Sequence, residues 1–235
     1  MQEVQNVSNV KTIGQTRSLK RRARARIKDI IEAVLIALVI AVILRIFVVQ
    51  AYRVDSDSMA ETMKRGDFIF VNKFYYHFGE PKAGDIIVFE YPLNPTKDYI
   101  KRIVAIEGQT VEIIAKQLYI DGVPVQLPPQ ARFTDDKIVP AEFSNRDFYG
   151  PKQVPVGHVF VLGDNRDNSQ DSRTWGFLDK SMIKGKAMFT YFSWKPDPNA
   201  PQWGPPYIDK IVTIPFYNLA HFPWRVNWDR LFKTF

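Results

Sequence analysis

Residues 163–173 read Gly163-Asp164-Asn165-Arg166-Asp167-Asn168-Ser169-Gln170-Asp171-Ser172-Arg173, a run that mixes both charge signs with two small hydroxyl side chains. So polar a segment inside a chain of short apolar runs needs a reason to exist. Two upstream segments accompany it. Ser56-Asp57-Ser58-Met59 follows closely on a membrane-length apolar run, and Tyr99-Ile100-Lys101-Arg102-Ile103-Val104 sets one lysine inside a short apolar strand.

Around these segments the pattern is β. Phe68–Val71, Ile86–Phe89, Tyr99–Ile106, Thr110–Ile114, Leu118–Ile120, His158–Leu162 and Lys186–Tyr191 are short apolar runs bounded by turn chemistry. No helical repeat of comparable length is evident. Asp121-Gly122 separates Leu118–Ile120 from Val123-Pro124-Val125 as an expected hairpin. Between Pro124 and Pro155 prolines and scattered charges mark a loop-rich insertion, and Pro196 to Pro206 loosens the chain again. The expected fold class is therefore mainly β. A catalytic core over 51–107 and 157–215 carries an inserted β/loop subdomain at 108–156, followed by an aromatic segment at 216–235. Trp224, Arg225, Trp228 and Arg230 in that segment suit either a membrane interface or packing on the core.

Ahead of residue 51 the charge is lopsided. Eight basic residues up to Lys28 face Glu3 alone, which accounts for the whole formal net charge of +7 and leaves 24 basic against 24 acidic residues beyond. A nucleic-acid-binding domain would need a basic face of its own, so none is expected. The basic cluster belongs to a tail, residues 1–29, and the apolar run Ile30 to Val49 would span roughly 30 Å as a helix. With Glu32 at one interface and Arg45 snorkelling to the other, residues 30–50 are expected to form a transmembrane anchor. Positive charge before a span keeps the N-terminus in the cytoplasm and the rest outside.

The chemistry starts by elimination. There is no cysteine, and His77, His158 and His221 are widely separated, without metal-ligand spacing and away from the motif-rich segments. A Ser-His-Asp triad is thus excluded as the expectation, and no metal or cofactor is expected. A serine enzyme here needs another base. Lysine can serve only when neutral, which asks its reference pKa near 10.4 to fall by about three units, roughly 4 kcal/mol. Burial does that, and strand alternation turns Lys101 and Arg102 to opposite faces, so that one points inward.

Taken together, the anchor, Ser-X-Ser-Met, the Lys-Arg pair and the 163–173 run resemble the bacterial type I signal peptidases, membrane-bound serine proteases with a serine-lysine dyad. The resemblance implies a signal-peptidase-like β-fold and assigns roles by position. Ser58 is the nucleophile and Lys101 its general base. The Ser56 hydroxyl and the Ser58 N–H form the oxyanion hole. Ser169 orients the lysine amine, and Asp171, Asp164, Arg102 and Arg173 form a supporting ionic shell with Arg102 and Asp164 as one pair. Tyr52, Val54, Met59, Asp98 and Ile100 are the candidate substrate contacts, with an extended substrate adding a strand beside Asp98–Ile100 and near Tyr52–Ser56. Shallow apolar pockets would accept the small residues of an Ala-x-Ala junction.

The implied partners are preprotein signal peptides and membrane lipid, with no nucleic acid and no metal, at the cytoplasmic (inner) membrane of a bacterium. Exposed Phe74, Tyr75, Tyr76 and Phe78 are candidates for dipping into headgroups. The sequence departs from the family at Asp55 and Glu61, where proline is common, and at Asp57, where glycine is frequent. Carboxylates so close to the lysine would hold it protonated unless they point to solvent. The same features also suit a related serine-lysine processing peptidase with another substrate, or a membrane-tethered β-domain that binds without catalysis.

Overall fold

The computed structural model describes residues 28–42, 49–205 and 207–235. Residues 28–42 are helical (α1) and form a unit of their own. At 1.5 Å per residue this helix covers about 22 Å. Among the described residues no helix is long and apolar enough to cross a membrane. Of the expected anchor, residues 43–48 lie outside the described residues, and its last two positions are already strand: Val49 and Gln50 pair with Asn72 and Val71.

From Val49 onward the chain forms a second unit built on β-sheets. The main sheet contains β1 (Val49–Arg53), β2 (Asp67–Asn72), β3 (Ile86–Tyr91), β4 (Asn94–Ile106), β9 (His158–Leu162), β10 (Leu178–Asp179), β11 (Ile183–Ser193) and β12 (Lys233–Thr234). Its order is β1-β2-β11-β3-β4-β9-β10, with β12 on β11, and every pairing is antiparallel. The smaller sheet, β7-β6-β5-β8, uses β5 (Thr110–Ile114), β6 (Gln117–Ile120), β7 (Val123–Pro124) and β8 (Tyr149–Gln153). Asp121 and Gly122 both take positive φ between β6 and β7, the left-handed pair that a two-residue hairpin of matching twist requires.

Alternation explains the core. In β2, Ile69 and Val71 are fully buried while Phe68 and Phe70 are half-exposed, so one face of the β1-β2-β11 layer packs inward on Val54, Met59 and Met63. A second cluster, Ile87, Phe89, Ile103, Val159, Val161 and Leu178, lies between β3, β4 and β9. Both clusters bear on Lys101, which sits between Ile100 and Ile103 on β4.

Helices follow the sheet where none was expected. Besides the one-turn α2 (Ser172–Trp175), the chain forms α3 (Tyr207–Ala220) and α4 (Phe222–Arg225). Pro215 lies inside α3, a residue that ordinarily ends or kinks a helical run. Arg230, considered for a membrane interface, is instead buried, its guanidinium held by both oxygens of Asp67 and by the Thr62 carbonyl. Arg225 likewise turns inward over the Trp194 ring. Of the aromatics considered for lipid contact near residue 75, Tyr76 is half-buried and donates to Asp85 (3.1 Å), whereas Phe78 is fully outward.

Candidate active site

Ser58 begins the tight turn that follows β1. The Ala60 N–H bonds to the Asp57 carbonyl and the Met63 N–H to that of Met59, so the backbone curls directly after Ser58. Gly66 closes the turn, since a Cβ there would lie 2.1 Å from the Trp194 carbonyl oxygen. Across from it, β4 brings Lys101 up from the core. Its Nζ is 2.8 Å from Ser58 Oγ and donates to the Ile100 carbonyl at 3.1 Å. The side chain is only 3% exposed.

Burial pushes the Lys101 amine down to about 8, Asp171 and Asp164 pulling it back up and Arg173 opposing them. Each of the two carboxylates is itself held by an arginine. Arg102 grips Asp164 through Nε (2.9 Å) and Nη2 (2.7 Å). Arg173 grips Asp171 through Nε and Nη2, both at 2.8 Å. Asp55, Asp57 and Glu61 do not bear on the amine: they pair with Arg53 (3.1 Å), Arg65 (3.1 Å) and with Lys64 and Arg132 (2.7 and 2.8 Å) on the exposed side of the turn.

Ser56 lies on the nucleophile's own side of the segment. Its hydroxyl donates to Ser58 Oγ (3.0 Å) and accepts from the Ser58 N–H (3.2 Å), so the two expected oxyanion donors are turned toward each other. Ser169, expected to orient the amine, makes no hydrogen bond: its Oγ is buried without a partner. Gly163 packs between it and the nucleophile, where a Cβ would lie 2.2 Å from Ser169 Oγ and 2.5 Å from the Ser58 carbonyl oxygen.

The polar run now has its reason. Asn165 holds the nucleophile segment, its N–H donating to the Ser58 carbonyl (3.0 Å) and its side-chain amide to that of Asp57 (3.1 Å). The Asp164 N–H meets Met59 Sδ, and the Asp164 carboxylate accepts from the Thr62 hydroxyl. Asp171 caps α2 by accepting from the Arg173 N–H and also takes the Gly163 N–H at 3.1 Å. Ser172 Oγ accepts from the Val161 N–H on β9. The roles of Gly163 and Asn165 were missed in the sequence, although both sit inside the motif. Those of Thr62, Asp67 and Arg230 left no signal, because their partners lie 102 to 168 residues away.

A groove of about 440 Å³ runs in front of the pair, lined by Arg53–Met59 on one side and Asp98–Lys101 on the other, with Arg65, Asn168 and Gln170. Among the described residues β1 pairs on one edge only, and β4 residues 98–101 pair with β3 but not with β9, so two strand edges are unpaired here. Val54, Met59 and Ile100 supply the apolar floor. Tyr52 packs on the same cluster without lining the groove, and burial followed by the charge of Asp98 pushes its phenol up. Asp98 is held by Lys184 at 2.8 Å.

A sequence model of the family described as "Signal peptidase, peptidase S26" matches residues 27–194. A probable signal peptidase I-1 of Synechocystis sp. is 40% identical over 190 residues, covering 76% of this chain and 86% of its own. Signal peptidase I of Aquifex aeolicus is 37% identical over 218 residues (72% and 85%), and that of Pseudomonas aeruginosa 35% over 201 (68% and 70%). With these lengths matched and the serine and lysine in contact across the groove, the chain belongs to the signal peptidase family, peptidase S26.

Proposed function

We propose that this chain is a membrane-anchored signal peptidase I that cleaves exported preproteins after an Ala-x-Ala junction, using Ser58 and Lys101. One observation carries the reading: an amine 3% exposed, lowered to about 8, stands 2.8 Å from a half-buried serine hydroxyl beside an open groove.

Neutral Lys101 takes the Ser58 proton as Oγ attacks the scissile carbonyl carbon. The oxygen gains charge and accepts from the Ser58 N–H and the Ser56 hydroxyl, which must first turn away from each other. Collapse breaks the C–N bond, and the ammonium of Lys101 returns its proton to the departing amine. The same amine then deprotonates water, which attacks the acyl-enzyme and releases Ser58. The neutral amine has one hydrogen on the Ile100 carbonyl and a lone pair toward Ser58, which leaves its second hydrogen for Ser169.

Substrate binds extended, hydrogen-bonding to the unpaired edges at Arg53–Ser56 and Asp98–Ile100. Its small side chains enter the shallow floor of Val54, Met59 and Ile100, where each surplus methylene costs about 1–3 kcal/mol. The apolar run up to Val49 anchors the chain, with the basic tail in the cytoplasm and the catalytic unit outside. The test is cleavage of one preprotein with an Ala-x-Ala junction by detergent-solubilised protein. Ser58→Ala and Lys101→Met abolish it, and the parent's rate climbs as pH rises through about 8, as Lys101 loses its proton. Cleavage undiminished in Lys101→Met sinks the proposal.

A further inference from the structure

Asn165 is 4% exposed, and among the described residues its side chain makes a single hydrogen bond: Nδ2 donates to the Asp57 carbonyl at 3.1 Å, while Oδ1 is buried without a partner. A buried amide left half-satisfied costs stability that an apolar side chain of the same shape would not. The one donor it supplies therefore has to serve something other than the fold.

That donor falls on a decisive peptide. The bond between Asp57 and Ser58 is trans, so the Asp57 carbonyl and the Ser58 N–H are the two ends of one planar unit, and whatever fixes the first sets the direction of the second. The Ser58 N–H is one of the two oxyanion donors of the reaction above. The Ala60 N–H reaches the same carbonyl at 3.2 Å, which engages both of its lone pairs. A carbonyl polarised in this way makes the N–H at the other end a stronger donor, because linked hydrogen bonds reinforce one another. Asn165 also fixes the following peptide, its own N–H donating to the Ser58 carbonyl at 3.0 Å.

The asparagine is itself held from behind. The Arg132 N–H, from the segment between β7 and β8, donates to the Asp164 carbonyl (2.8 Å), and the Arg166 N–H donates to the Arg132 carbonyl (2.9 Å). Arg173 Nη2 donates to the Arg166 carbonyl (2.6 Å). With the 57–58 peptide so braced, the Ser56 hydroxyl, now bonded to Ser58, is the group that swings when the oxyanion forms.

We propose that Asn165 is a positioning residue of the oxyanion hole, its carboxamide aiming the Ser58 N–H through the Asp57–Ser58 peptide and strengthening it as a donor. This rests on the serine-lysine reading above. Detergent-solubilised full chains carrying Asn165→Leu or Asn165→Ala are compared with the parent on the Ala-x-Ala preprotein, with urea midpoints measured alongside. Leucine keeps the shape and lacks the donor, whereas alanine leaves room for a water that donates to the Asp57 carbonyl instead.

In Asn165→Leu, kcat is expected to fall about 10- to 100-fold, short of the loss from deleting an oxyanion donor outright, and in Asn165→Ala it falls less. KM stays, the acidic limb stays near about 8 because Lys101 is untouched, and the urea midpoint of Asn165→Leu holds or rises. An Ala-x-Ala peptide aldehyde, whose hemiacetal oxygen occupies the oxyanion hole, loses affinity for Asn165→Leu by the same factor as kcat. A packing role predicts the reverse order, with the larger cavity of Asn165→Ala worse and midpoints falling with activity. That order, an unfolded Asn165→Leu, or a kcat and aldehyde affinity unchanged in it, overturns this inference alone. A parent that fails to cleave, or cleaves equally well as Ser58→Ala, overturns the serine-lysine reading beneath it.

Discussion

The polar run 163–173 and the C-terminal stretch 196–235 invert one another: the first is charged and largely buried, the second rich in aromatic and aliphatic side chains and largely exposed. Hydropathy predicts neither. In the first region the buried carboxylates have bidentate partners, Asp171 on Arg173 and Asp164 on Arg102, while the buried Arg166 leaves its Nε without a hydrogen-bond partner. In the second, Tyr217, Arg225 and Arg230 turn inward to polar partners, and most of the large apolar side chains are left outside. Both regions nonetheless hold the same turn. Asn165 and Gly163 brace Ser58 from one side, and Arg230 braces Thr62 and Asp67 from the other.

That equivalence is broken or sharpened most by removing one member of each buried pair. Asp171→Ala strands Arg173, and Arg230→Ala strands Asp67 together with the Thr62 carbonyl. Each is expected to cost about 3–5 kcal/mol, the usual range for an uncompensated buried charge. Urea midpoints of the two variants should fall together, with cleavage impaired in both. An Arg230→Ala protein as stable as its parent would show that the tail only decorates the turn.

The two pairs also differ in how they are written. Asp171 and Arg173 are two residues apart inside one motif, which the resemblance set in an ionic shell without pairing them, whereas the opposite facing of the neighbours Lys101 and Arg102 follows from strand alternation and was legible. The main strands were legible for the same reason, since apolar runs and glycine turns are local. Arg230 and Asp67 are 163 residues apart, and the pairing of β12 and the Trp194–Val226 bridge with β11 bring the chain's end back beside β2. α3 was missed on other grounds: Tyr207–Ala220 crosses residue 215, where the sequence reading divided the core from an aromatic segment, and Pro215 sits inside the helix. The start of β1 was hidden by an apolar run that continues across residue 49.

A smaller effect tests whether the buried charge of Lys101, which the first region faces, serves chemistry rather than stability. With Lys101 lowered to about 8 in the folded state and unperturbed when unfolded, the unfolded chain binds the extra proton over the window between them. Stability of the parent therefore rises with pH from about 8 to about 10.5, and below that window the buried ammonium carries its full cost. Lys101→Met removes that cost. The variant should be more stable than the parent by up to about 3 kcal/mol at neutral pH, with the gain fading as pH climbs through the window. Denaturation measured at a neutral and an alkaline pH checks it, and a variant less stable at both would mean that the amine contributes to the fold.

The smallest expected change concerns Asp55 and Asp57, the carboxylates that flank Ser56. Asp55 and Asp57 are at least half-exposed and each is paired outward with an arginine of the same turn, whereas the charges that bear on Lys101 are Asp171, Arg173 and Asp164. An exposed charge acts on the amine through water, at the high end of the dielectric range. Asp55→Pro and Asp57→Gly should therefore move the acidic limb of the pH–rate profile by less than about half a pH unit. Their effect should fall on substrate affinity instead, because both residues line the groove where the extended chain docks. A limb displaced by a full unit would mean that these side chains turn toward Lys101 once substrate is bound, and that the lysine is tuned from the solvent side as well as by burial.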